Sequence, residues 1–156
     1  MAIPPTVVTG ETISVTWGNS VRDWAVGVVD FGMASEVVLD TSITSTFETG
    51  ATVTFTKPAA WVTYKIMAWG VVHFTGSLSV TAAICQARVV LSTNGTTMHN
   101  TTSQSDAAEA VTVGANHTVT GLTGNQAVSI QYARAGSNGE ADKLGSTVNY
   151  MAIRLS

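Results

Sequence analysis

His73, His99 and His117 are the side chains of this sequence best suited to move a proton at neutral pH or to bind a metal ion. Metal binding needs several converging ligands, usually with one close-spaced pair, and these three lie in separate segments without such spacing. The expectation is two strand histidines, His73 and His117, one loop histidine, His99, and no metal. Serine, histidine and aspartate are all present, as nucleophilic catalysis requires, but no Gly-x-Ser-x-Gly elbow occurs. Glu109, Glu140 and Asp142 are the candidates for a carboxylate pair of the glycosidase kind. Glu140 and Asp142 belong to the run Glu140-Ala141-Asp142-Lys143, in a polar stretch whose simplest reading is solvation. Cys85, the single cysteine, falls in a strand-like run, where a thiol acts as a small buried hydrophobe. Alone it forms neither an internal disulfide nor a cysteine-based zinc site. Gly-x-Gly-x-x-Gly and Walker patterns are absent. No catalytic residue, metal or cofactor is assigned, and the chain is not expected to be an enzyme.

The elements that must position any site are written in the composition. The 156 residues hold 24 Thr, 21 Val and 7 Ile against 6 Leu. Branching at Cβ stiffens χ1 and favours the pleated surface of a sheet, so the chain reads as a β-protein. It is 45% hydrophobic and only 11% charged, which excludes a disordered charged tail. Seven basic residues, scattered along the chain with a net charge of -3, argue against a nucleic-acid surface. No apolar run reaches the length of a membrane span.

Residues 1–16 read as an extended arm, because Pro4 and Pro5 forbid helix and residues 11–16 alternate polar and apolar. The period then changes. Trp17, Val21, Trp24, Ala25 and Val28 fall at i, i+4, i+7, i+8 and i+11, one stripe of a helix. Thr16 is the N-cap and Gly32 the stop of a short α-helix expected near residues 17–30. Strands are expected over 36–40, 44–47, 51–56, a long apolar run at 62–74 that is buried on both faces or crosses the centre of a sheet, with a bulge or bend at Gly70, and within 77–92. Residues 96–108 read as a polar loop, and 110–113 and 117–122 as two strands joined by Gly114-Ala115-Asn116. Residues 126–134 form the next strand, 135–146 a loop, and 147–155 the last strand. Turns every 8–12 residues give an all-β fold, an antiparallel sandwich or barrel. The last strand is apolar on both faces, so it belongs mid-sheet or against another subunit. The expected division is an arm and helix over 1–32 and a β-sandwich over 33–156.

The opening Pro5-Thr6-Val7-Val8-Thr9-Gly10-Glu11-Thr12-Ile13, followed by Trp17-Gly18-Asn19-Ser20-Val21-Arg22-Asp23, resembles the start of many tailed-bacteriophage virion proteins. The C-terminal half, through Gly121-Leu122-Thr123-Gly124-Asn125, Val128-Ser129-Ile130-Gln131-Tyr132 and Tyr150-Met151-Ala152-Ile153-Arg154-Leu155, resembles the jelly-roll heads of phage fibres and decoration proteins, which are similar in outline to the C1q and tumour-necrosis-factor fold. The resemblance implies a homotrimeric structural protein on the outside of a virion, of decoration or head-fibre type, whose partners are itself and other virion proteins such as the major capsid or tail proteins. Trp17, Val21, Trp24 and Val28 then become the particle-attachment stripe, although the same stripe could instead pack on its own sandwich. Tyr132, Tyr150 and Ala152 are placed near the three-fold contact. Met1-Ala2-Ile3-Pro4-Pro5 lacks the charged and apolar regions of a signal peptide, as expected of a virion protein made in the host cytoplasm. The three sequons at Asn94, Asn100 and Asn116 are then chance products of a Thr-rich chain. A tail-tip module that recognises host surface glycans is the first alternative, and predicts a site in loops 94–108 or 135–146. A hydrolase is the second, and predicts converging carboxylates in a groove.

Overall fold

The computed structural model describes residues 27, 29–76, 83–92, 96–105, 109–135 and 141–156. Its strands are β1 (Val29–Glu36), β2 (Glu48–Thr56), β3 (Thr63–Gly76), β4 (Ala83–Leu91), β5 (Thr96–Ser105), β6 (Glu109–Thr120), β7 (Asn125–Ala135) and β8 (Ala141–Arg154). Each strand of the first half pairs antiparallel with its mirror image in the second: β1 with β8, β2 with β7, β3 with β6, β4 with β5. Such a nested ribbon, rolled so that successive pairs alternate between two layers, is a jelly roll. The layers are the sheets β1-β8-β3-β6 and β2-β7-β4-β5.

Strict alternation puts one residue in two between the layers. Ala51 and Phe55 of β2, Cys85, Ala87, Val89 and Leu91 of β4, and Val128, Ile130 and Tyr132 of β7 all face inward and are buried. β3 lies between β8 and β6 and contributes Tyr64, Ile66, Ala68, Val72 and Phe74 to the same core. The central position expected for the 62–74 run and for the last strand is therefore found. Gly70 makes no bulge. Its ladder to both neighbours is continuous, and a side chain there would meet the Thr147 carbonyl oxygen and the Ile130 Cδ1 of the opposite sheet. The glycine lets two layers approach.

Several boundaries move. Most of the helix expected near 17–30 lies outside the described residues, but Val29 and Asp30 belong to β1, so its end is not helical. β1 runs across residue 32, so Val29 to Gly32 belong to the sandwich among the described residues. Residues 44–47 are not a strand, and β2 absorbs Glu48-Thr49-Gly50 through a bulge between Thr49 and Thr52. The polar segment 96–105 is the strand β5, outermost in its sheet among the described residues, because Thr-rich sequence suits a pleated strand and an outermost strand needs little apolar surface. Gly114-Ala115-Asn116 is no turn but part of β6, where an unbroken ladder to Trp69, Ala68 and Met67 overrides the local signal. β8 starts at Ala141, inside the segment read as a loop.

Candidate functional site

Two features of the sandwich lie outside what a water-facing sheet and a sealed core require. The first is the outer face of the β1-β8-β3-β6 sheet. Register places Phe31, Met151 and Met67 in one cross-strand row, and Met33, Asn149 and Trp69 in the next. Phe31 is 79% exposed, Met33 68% and Trp69 45%. An antiparallel sheet normally presents polar side chains on its wet face. Here the middle of the outer face of β3, Met67, Trp69 and Val71, is apolar as well, between Lys65 and His73, which is why the run reads as almost continuous. A shallow groove of about 410 Å³ lies along these rows.

The second feature is at the end of the sandwich where residues 37–47 cross from β1 to β2. In β8 the inward positions are Ser146, Val148, Tyr150 and Ala152. Continued by twos, this alternation would turn Leu144 inward and Lys143 outward. A bulge intervenes: His73 pairs with Gly145 and Phe74 with Lys143, leaving Leu144 without a register partner. Bulges re-aim side chains in this way. Leu144 consequently faces solvent, and Lys143 enters the core with 1% of its side chain exposed.

Lys143 Nζ lies 3.1 Å from Glu36 Oε1 and 4.7 Å from the centre of the Tyr132 ring, so a carboxylate and a π face share the ammonium charge. Ser146 Oγ donates to Glu36 Oε2 at 3.4 Å and accepts from the Ala51 N–H at 2.8 Å, tying the β8 strand to the bulge of β2. The Tyr132 hydroxyl donates to Asp40 Oδ2 at 3.0 Å. Burial first, and then this bond to a carboxylate, push the Tyr132 phenol well above its ordinary range, so it stays neutral. The Ser42 N–H donates to Asp40 Oδ1 at 2.9 Å and is the main reason that the Asp40 carboxyl is held below its ordinary value. Asp40 and Lys143 also exchange both backbone hydrogen bonds, at 2.9 Å each. The cluster is saturated with internal partners and locks the crossing segment onto β8. Beside it opens a cleft of about 550 Å³, lined by residues 41–45, Arg134 and Asp142.

The residues singled out from sequence fall differently. Trp17, Val21, Trp24 and Val28 lie outside the described residues. Tyr132, Tyr150 and Ala152 are 4%, 4% and 0% exposed within a single chain. Their side chains are consumed by the chain's own core, with the Tyr150 hydroxyl donating to Asp30 Oδ2 at 2.8 Å, so they are not available to a neighbouring subunit. The last strand sits mid-sheet, its edge paired with β1, while its outer face shares the apolar rows described above. His73 and His117 lie seven positions apart along β3, His117 opposite inward-facing Ile66 and His73 on the outer face, while His99 is in β5 of the other sheet. Among the described residues no three His, Cys, Asp or Glu side chains gather to hold a metal ion. Cys85 is buried. Asp142 borders the cleft, whereas Glu140 lies outside the described residues. Sequence reading passed over Lys143, Glu36 and Asp40. A bulge that inverts alternation has no local signature apart from Gly145, whose missing side chain leaves room for the Glu36 carbonyl.

No protein-family model matches the chain. No curated protein matches it either. Among solved structures it is similar in coarse outline to the VP2 subviral particle of infectious bursal disease virus, at a TM-score of 0.47 and 12% identity over 81% of this chain and 33% of that one. It is similar to dimeric latent PorU from Porphyromonas gingivalis, at 0.47 and 7% over 82% of this chain and 13% of that one. It is also similar to the globular domain of zebrafish complement 1qA, at 0.36 and 14% over 80% and 97%. The chain thus spans 33% and 13% of the first two proteins' own lengths.

Proposed function

We propose that this chain is a structural, non-enzymatic protein of a bacteriophage particle, carried on the exterior as a decoration or head-fibre-type protein. Three copies associate through the outer face of the β1-β8-β3-β6 sheet. The observation that carries the self-association is that face, where Phe31, Met33 and Trp69 stand exposed in adjacent rows on a regular sheet. Contiguous exposed apolar surface of this kind marks protein–protein contact, and aromatic side chains and methionine are favoured there. The three-fold count and the phage setting rest on the sequence resemblance. Residues 1–28, with Trp17, Val21, Trp24 and Val28, serve as the attachment to another virion protein, and the neutral Thr-rich exterior faces solvent. Labelling purified particles with an antibody to the chain, viewed by electron microscopy, tests the location. Label on the head exterior is the expected result, and unlabelled particles would sink the reading. Sedimentation of the free protein tests the assembly, with a trimer expected.

A further inference from the structure

The bulge in β8 brings an amine and a carboxyl group into contact where water is largely excluded from the amine. We propose that Lys143 and Glu36 join as an intramolecular amide, a covalent link between β8 and the end of β1, with the ion pair as its reactant. Lys143 Nζ lies 3.1 Å from Glu36 Oε1. The carboxyl carbon is one bond beyond that oxygen, so a small turn of either side chain brings the nitrogen onto it. Both backbones are fixed. Glu36 pairs with Ser146 on the last rung of the β1–β8 ladder, and Lys143 exchanges both backbone hydrogen bonds with Asp40. Well-aligned groups held in this way react as if present at an effective concentration of roughly 10⁵–10⁸ M. Bulk water, which drives an amide back to acid and amine, does not reach the buried lysine. Joining the two groups also removes a pair of charges whose burial is costly.

The step balances without a co-reactant. One proton passes from the Lys143 ammonium to Glu36 Oε1, leaving a neutral amine beside a neutral carboxylic acid. The nitrogen lone pair attacks Glu36 Cδ and forms the N–C bond, while the C=O electron pair moves onto Oε2. Ser146 Oγ donates to that oxygen at 3.4 Å, and a donor aimed where charge develops lowers the barrier. The serine is itself oriented, because its Oγ accepts from the Ala51 N–H at 2.8 Å. A second proton moves from nitrogen to the Oε1 hydroxyl, the C–Oε1 bond breaks, and Oε1 leaves as water. The part of Glu36 that reaches solvent gives this water an exit. The Tyr132 ring, 4.7 Å from Nζ, holds the ammonium in place before the step. Gly145 lets the strands close, since a side chain there would meet the Glu36 carbonyl oxygen at 2.9 Å. The product ties β1, outermost in its sheet among the described residues, to the central strand β8, so β1 cannot peel away at this end.

The test is the intact mass of the purified full chain, taken under denaturing conditions after the protein has folded. The native chain should be lighter than its sequence by one water. Trypsin should then leave residues 23–65 and 135–154 joined as one branched peptide, uncut at Lys143, with fragment ions that place the bond between Glu36 and Lys143. Lys143→Met keeps an apolar chain of similar length in the core and should restore the full sequence mass. Its melting temperature checks that it folds, and if it does not, the branched peptide of the native chain decides the matter without a variant. A native chain that keeps its full sequence mass after prolonged incubation at neutral pH, a water loss whose bridge lies elsewhere, or a loss that persists in folded Lys143→Met would each overturn the proposal. Replacing either partner abolishes the link equally, so a difference in stability between Glu36→Ala and Lys143→Met reports the charges alone. Glu36, Lys143 and Ser146 lie outside the apolar rows, and the mass is blind to subunit number, so the trimer stands or falls separately.

Discussion

Lys143 is a charged side chain almost wholly removed from water, and its partner is not. Glu36 keeps 29% of its side chain exposed. The two halves of this ion pair are therefore unequal. Removing the carboxylate strands an ammonium in the core, while removing the ammonium leaves a carboxylate that reaches solvent. Glu36→Ala should destabilise the fold by about 3–5 kcal/mol, as expected when a buried pair loses one member. Lys143→Met should cost clearly less, and urea denaturation of the two variants measures the difference. A cost for Lys143→Met equal to or above that of Glu36→Ala would contradict the burial described here. Asp40 supplies a pH dependence. Its carboxyl titrates lower in the folded chain than in the unfolded one, whose value is near 3.8. The stabilisation is thus complete above that value and is lost as pH falls below it through the folded value. Native stability should decline in acid below about pH 4. Asp40→Asn should flatten that decline, as followed by denaturation at stepped pH.

At the scale of elements, two strands decide whether the layers close. β1 is an edge strand that covers β8, and its first four residues pair with Ile153, Ala152, Met151 and Tyr150. Deleting residues 1–26 removes no described strand and should leave the melting temperature unchanged. Deleting residues 1–32 removes half of β1 and the Asp30 acceptor of the Tyr150 hydroxyl, and should lower it markedly. Calorimetry of the two truncations distinguishes an appended arm from an integral one. β3 closely approaches β8 and the opposite sheet at Gly70. A methyl group there collides with backbone, which cannot swing aside as a side chain can. Gly70→Ala should therefore cost about 3 kcal/mol, the upper part of the usual overpacking range. A near-native denaturation midpoint would show that the layers are looser than described.

Among the described residues the sandwich exposes apolar rows on one sheet face, Phe31, Met33 and Trp69, on a chain of low charge. Burying a large apolar side chain completely contributes about 1.5–3 kcal/mol, and Phe31 at 79% and Met33 at 68% exposed retain most of that contribution for a contact between copies. Because these side chains point away from the core, charging them should spare the fold. Phe31→Glu combined with Trp69→Glu should convert the proposed trimer to a monomer of near-native melting temperature, read by sedimentation and calorimetry together. A native chain that sediments as a monomer at micromolar concentration would remove the basis for association through this face.

The excess of Thr, Val and Ile by itself determined that this is a β-protein, and the alternation in 51–56, 85–91 and 128–132 determined which residues are inside. Those signals are local, since a strand's two faces are set by its own period of two. The apolar character of both faces of β3 and β8 was equally legible, and so was their central place. What sequence could not decide was where ladders run on and where they slip. The stretch 96–105 and the triplet at 114–116 look like loops in isolation and are strands because a neighbour supplies a continuous set of hydrogen bonds. Tyr132 and Tyr150 look like surface anchors and are core residues, because Asp40 and Asp30 come from distant segments to satisfy their hydroxyls. Lys143 is the sharpest case. The local alternation would turn Leu144 inward and Lys143 outward, but one extra residue in the β8 ladder reverses the faces, and only the tertiary pairing of β3 with β8 decides that the lysine points inward.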